Sequence, residues 1–254
     1  MEERLQQAEL DDLWLPGDPI ASAERLAAAA ALPGRSELVR AELETQRARA
    51  LGLQGRFAEA EALLDSLEPA FGRLEVRVLL ERGRLRGAEG RQGEAVEVLQ
   101  EALRAARRDA EVDLAVETAA VLAESDPSHA EQWIEEGLSD LTGTDDPRTL
   151  RWGVVLHELR GWARFTDGDL AAALVSFEDA RSFAEEVGTP DERFATRWAV
   201  ARCLRALGRN QEAADIQRRL AAERPDEPAV REELEQLAAL REPGTSDRTP
   251  TIES

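Results

Sequence analysis

The sequence predicts an all-α solenoid of antiparallel helix hairpins, on three observations. Alanine, leucine, glutamate and arginine dominate, while valine, isoleucine and threonine are sparse and tyrosine is absent. That balance favours helices over strands. A glycine followed five residues later by an alanine recurs along the chain, as Gly55–Ala60, Gly90–Ala95, Gly168–Ala173 and Gly208–Ala213. The glycines are spaced 35 residues apart (55 to 90) and 40 apart (168 to 208), with 78 between Gly90 and Gly168. A period of this length marks a stack of helical hairpins.

From the N-terminus, residues 1–34 read as a degenerate first hairpin. Residues 2–14 form one helix and Gly17 the turn. Residues 19–32 form the second helix, with Asp18 as N-cap and Pro19 at its first position. Pro33-Gly34 ends it. Residues 35–225 carry about five repeats. The double-length gap hides the third, in which Ser125 and Ala130 keep the five-residue step. The remaining length is the loop SDLTGTDDP, 139–147. Residues 227–242 are amphipathic through Val230, Leu234, Leu237 and Leu240, and serve as a capping helix within the segment 226–242. The polar tail 243–254 has no apolar period and is expected to be disordered.

The repeated step has a physical meaning. Glycine ends the first helix in the left-handed conformation. The alanine marks the closest approach of the two helices. Another small residue precedes each glycine by seven positions: Ala48, Gly83, Gly161 and Ala201, with Thr118 in the third unit. It is expected to face that alanine across the hairpin.

On these residues, roughly 41–225 resemble the tetratricopeptide repeat (TPR) family. The fourth unit carries Gly161, Gly168, Ala173, Phe177 and Ala180, and the fifth Ala201, Gly208, Ala213, Leu220 and Pro225. The chain departs from the family pattern at Arg47, Arg82 and Arg160, where leucine is usual, and lacks the first-helix tryptophan. The resemblance implies a right-handed superhelix, a concave face lined by the first helix of each hairpin, and a role in binding proteins or peptides. Repeats near 40 residues in this style also resemble arrays of large bacterial regulators.

Charge and composition exclude several classes. The net charge of −20 opposes nucleic acid and anionic membranes. No apolar run is long enough to span a bilayer, and the acidic N-terminus is unlike a secretory signal. One cysteine, Cys203, fits a reducing cytoplasm and reads as a buried, inert thiol. All 32 basic residues are arginine, so no phosphate-binding loop with its lysine exists. His129 reads as exposed at a turn, and His157 has no metal-binding partner four residues on. The chain reads as non-catalytic, with no cofactor and no metal.

The candidate site is therefore a binding groove. Positions 13, 10, 6 and 3 before each glycine fall on one helix face. That face holds Arg49, Arg77, Arg84, Arg202 and Arg205 against Glu42 and Glu158, an excess of three positive charges (five minus two). Trp162, Phe165 and Trp198 lie on it too. Seven of the eleven aromatic residues fall between 152 and 198. This pattern points to a partner segment that is acidic or ends in a carboxylate, because arginine grips carboxylates with paired hydrogen bonds. The competing reading is that these arginines pair with acids of the chain itself, while Trp133 and Trp152 fill space between hairpins. Replacing Arg84, Trp162 and Arg202 together is expected to abolish partner binding with little loss of thermal stability. Three functions fit: an interaction scaffold or adaptor; a sensor or regulatory module for a peptide or small ligand, acting through a partner; and a self-assembling homo-oligomer.

Overall fold

The computed structural model describes residues 5–15, 17–67 and 70–240. Among them no strand forms. Two compact units divide between Leu159 and Arg160.

The first unit begins with a short helix α1 (Gln7–Leu13) and α2 (Pro19–Ala30). The Asp18 side chain caps α2 by accepting from the Ala21 amide, with Pro19 at its first position, as the sequence predicts. Three hairpins follow: α3 (Glu37–Leu53) with α4 (Phe57–Asp65), α5 (Arg73–Ala88) with α6 (Gln92–Arg108), and α7 (Val112–Ser125) with α8 (Ala130–Asp140). The first helices neighbour one another, α3 on α5 and α5 on α7, so their exposed sides form one face. Asp146 caps the single turn α9 (Pro147–Leu150), which leads into α10 (Trp152–Thr166). The largest core of this unit runs from Val76 and Leu80 through Leu114 and Leu122 to Ile134 and Leu156.

The second unit holds the rest of α10, then α11 (Leu170–Val187), α12 (Pro190–Ala206), α13 (Asn210–Glu223) and α14 (Pro228–Ala239). A full capping box at Thr189 and Glu192 starts α12. Helix α14 packs on α12 and α13. It buries Val230 and Leu237 of the expected stripe. The tail 243–254 lies outside the described residues, as do residues 2–4 of the expected first helix.

The four repeated glycines all sit at positive φ, between 73° and 84°. Past each, one amide reaches back five residues: Arg56 to Leu51, Arg91 to Arg86, Asp169 to Arg164 and Arg209 to Leu204, at 2.9–3.0 Å. This is the Schellman stop that the recurring glycine makes possible. The same bond joins Glu111 to the Ala106 carbonyl at 2.9 Å, and there Ala110 takes φ 56° without being glycine.

Two expectations need correction. At Gly83 and Gly161 the side chain nearest the small position is not the alanine. A Cβ added to Gly83 would lie 2.5 Å from Leu99, and one on Gly161 2.5 Å from Phe177. The small residue thus makes room for the large one four positions after the alanine, because the bulkier side chain fills the hairpin seam. The alanine instead meets the turn before the glycine, with Ala95 3.9 Å from a Cβ on Gly87. The third hairpin also departs from the rest. Its α7 ends at Ser125 and turns through a 3-10 segment (Pro127–His129) before α8 starts at Ala130. Its close approach falls at Gly137, where an added Cβ would lie 2.9 Å from Leu156 and 3.1 Å from Ala119.

Candidate functional site

The first-helix face of the first unit is built on buried ion pairs. Arg77 of α5 is 2% exposed and donates to Glu117 of α7 at 3.0 Å. Arg84, two turns on, donates to Glu81 at 2.7 Å and to Glu117 at 2.9 Å. A second cluster forms at the start of α5. Arg73 donates to Glu42, to Glu111 at 2.6 Å, and to both oxygens of Asp113 at 2.8 and 2.6 Å. Burial opposes charge on Arg73, but these carboxylates outweigh it and hold the guanidinium firmly protonated. Burial would likewise raise the Glu117 carboxyl, yet Arg77, Arg84 and Arg49 pull it down to about 2.

Arg49 is different. It makes no ion pair within 4.0 Å among the described residues and lies over the Trp14 ring, 5.3 Å from its centre. The like charge of Arg84, followed by burial, lowers its pKa, against the pull of Glu81 and Glu117. Beside it opens a cavity of about 310 Å³ lined by Gly52, Glu81, Arg84 and Gly87, among others. Gly52 and Gly87 hold corresponding positions of successive first helices; a Cβ on Gly52 would lie 2.5 Å from Leu85, whereas one on Gly87 would meet nothing closer than 3.9 Å. One Glu81 carboxylate oxygen is buried there without a hydrogen-bond partner.

In the second unit the face is aromatic. Trp162, Phe165 and Trp198 surround Arg202, whose guanidinium carbon lies 5.7, 5.9 and 5.2 Å from the three ring centres. Trp162 meets Phe177 edge-on at 4.7 Å, which ties the cluster to the core. Arg202 is half-buried and makes no ion pair among the described residues. Arg205, one turn on, donates to both oxygens of Glu233 on α14 at 2.7 and 3.0 Å, so the capping helix takes its charge.

The structure therefore brings the eight predicted residues together in two groups. Arg49, Arg77 and Arg84 share the first unit's face, and Trp162, Phe165, Trp198, Arg202 and Arg205 the second's. Most of the expected positive excess is cancelled. Arg77, Arg84 and Arg205 are paired with acids of the chain, leaving Arg49 and Arg202 without one. Arg84 is also a structural residue, so its removal would cost stability, contrary to the expectation for the triple replacement. The partners Glu81, Glu117 and Asp113 were not singled out from sequence. Their spacing is shared: Arg77 to Glu117 and Arg73 to Asp113 are each 40 residues apart, the local 35-residue repeat plus five.

The remaining chemistry-bearing side chains have local roles. His129 is exposed and bonds Asp126 at 2.9 Å. The buried Cys203 thiol lies 3.3 Å from the Leu170 carbonyl, and burial pushes its pKa up to about 11. Trp133 is buried, its ring nitrogen on Asp126. No helix among the described residues is long and apolar enough to cross a membrane.

No family model matches the sequence. No curated protein matches it either. Solved structures do. The crystal structure of BtubC (BKLC) from P. vanneervenii has TM-score 0.61 at 18% identity, over 93% of this chain and 96% of that one. A kinesin-light-chain-type protein of Podosopora anserina with nearly identical TPR-like repeats has TM-score 0.52 at 18% identity, over 80% of this chain and 98% of that one. At that identity the likeness speaks to architecture, and it agrees with the glycine stops and the paired helices. By fold, the chain is a TPR-like helical-repeat protein.

Proposed function

We propose that the chain is a non-catalytic interaction module, a scaffold or adaptor, whose first-helix face binds an acidic or carboxylate-ended segment of another protein. In this reading residues 35–225 are the array, 1–34 and 226–242 its ends. The observation that carries it is Arg202: a guanidinium framed by three aromatic rings and left without an acid of its own among the described residues. The rings offer flat apolar area and hold the cation in place. The guanidinium offers a forked donor to a carboxylate, and such charge-assisted bonds are the strong ones. Interfaces concentrate their energy in tryptophan and arginine of this kind. The test is peptide binding to wild type beside Arg202→Met, which keeps the apolar stem on the rings and removes only the charge. Acid-bearing peptides should lose affinity by tenfold or more while neutral controls do not change. Equal affinity in the two chains would overturn the reading.

The 310 Å³ cavity beside Arg49 favours a second reading, a regulatory module that takes a small ligand. A panel of small carboxylates and amino acids tests it by thermal shift. A stabilising ligand whose effect disappears in Arg49→Gln supports it, and a panel without effect contradicts it.

A further inference from the structure

Residues 5–14 pack on α2 and reach the first-helix face of the first unit at both ends. Leu5 and Leu10 are buried in a cluster with Leu26, Ala29 and Ala30 of α2 and Val39 and Leu43 of α3, and Leu13 and Trp14 pack beside them. At one end, the Trp14 ring nitrogen donates to Gln46 of α3 at 3.2 Å, under the Arg49 guanidinium. At the other, the Leu5 carbonyl accepts from Arg148 of α9 at 3.1 Å, where residues 5–8 line a cavity with Arg73 and Asp113. Between them, both oxygens of Asp11 accept from Arg151 at 2.8 Å, and Glu9 pairs with Arg35. The segment thus runs from the first repeat to the start of the fourth. Arginines meet both its carboxylates and its backbone carbonyls.

The same segment is weakly built on its own. Helix α1 has only seven residues. A helix this short does not hold without what it packs against. Its reach beyond α2 and the α2–α3 turn is a few polar bonds, from Trp14, Asp11 and the Leu5 carbonyl, a composition suited to exchange.

We propose that this N-terminal segment is a built-in occupant of the first unit's recognition face, and that the external partner there is a segment of the same chemistry: acidic, with spaced leucines and a tryptophan. The proposal rests on the first-helix face being the recognition surface, but it uses the first unit and not Arg202. A tethered segment competes at an effective concentration of order millimolar, so a free peptide of ordinary affinity is excluded until the tether lets go.

The probe is a labelled peptide of residues 1–17 added to the full chain and followed by fluorescence anisotropy. Two variants loosen the tethered copy. Leu5→Ser with Trp14→Ala removes its apolar anchors, and Asp11→Asn removes only its charge pair. The first should bind the peptide at least tenfold more tightly than wild type, and the second about threefold. Arg148→Ala in the loosened chain should reverse the gain, whereas Arg202→Met should leave it intact. Should the double variant fail to fold, Asp11→Asn decides alone, since its side chain is at the surface. Equal binding by wild type and the loosened chains, or binding by none, would overturn the proposal and leave residues 5–14 a fixed structural cover. Because Arg202→Met is measured against acid-bearing peptides in its own assay, that result stands or falls separately.

Discussion

Glu117 of α7 accepts hydrogen bonds from two arginines of α5, Arg77 at 3.0 Å and Arg84 at 2.9 Å. One carboxylate so joins two neighbouring hairpins across their first helices. Removing it leaves Arg77 buried and uncompensated, and breaking such a pair costs about 3–5 kcal/mol. Glu117→Gln is therefore expected to lower unfolding stability in urea by that order. A loss under about 1 kcal/mol, the range of an exposed pair, would contradict the account.

The same residue sets an acid limb of stability. Its carboxyl sits at about 2 in the folded chain against an ordinary 4.5. Between those values the unfolded chain holds a proton that the folded chain does not, so stability rises with pH there. The contribution is complete above about pH 4.5 and is lost as pH falls toward 2. Asp113, lowered by Arg73 against the effect of burial, acts in the same direction. Melting temperature should fall below pH 4.5, and the fall should be shallower in Glu117→Gln. Parallel curves would contradict the assignment.

Gly161 is where α10 meets Phe177. A Cβ there would stand 2.5 Å from one ring carbon and 2.6 Å from another. Gly161→Ala should destabilise by about 1–3 kcal/mol through overpacking. Combining it with Phe177→Leu should recover part of that loss in thermal melts. Simple additivity of the two losses would show that they do not share the seam.

Ala110 holds the left-handed stop between α6 and α7 that glycine holds elsewhere, with φ 56°. Removing its Cβ relieves a strain of about 1–2 kcal/mol, partly offset by the entropy glycine adds to the unfolded chain. Ala110→Gly is expected to stabilise by about 0.5 kcal/mol in urea titration. Destabilisation would show that the strain is already relaxed.

How much of this was legible in the sequence depends on range. The turns were legible because a left-handed stop needs glycine at one position, and four of them repeated. Helix α2 was legible because its cap and its proline are adjacent to it. The partner of each small residue was not. The choice between Ala95 and Leu99 for Gly83 depends on how deeply the helices interdigitate, which spacing alone does not set. The fate of the arginine stripe was not legible either. The side chains on one helix face were read, but Glu81 and Glu117 stand just off the chosen stripe and close on it through long arginine side chains. Gly208 and Ala213 announce their hairpin, whereas nothing local in residues 5–14 announces that they cross to Arg148.

The central claim is that Arg202 and its three rings receive an acid-bearing segment. Its most direct test is anisotropy titration of acidic and carboxylate-ended peptides, each beside a neutral counterpart, against wild type and Arg202→Met. The account predicts that wild type prefers the acidic member, that the preference weakens with salt, and that Arg202→Met loses it at an unchanged melting temperature. Equal binding of both members by both chains would contradict it.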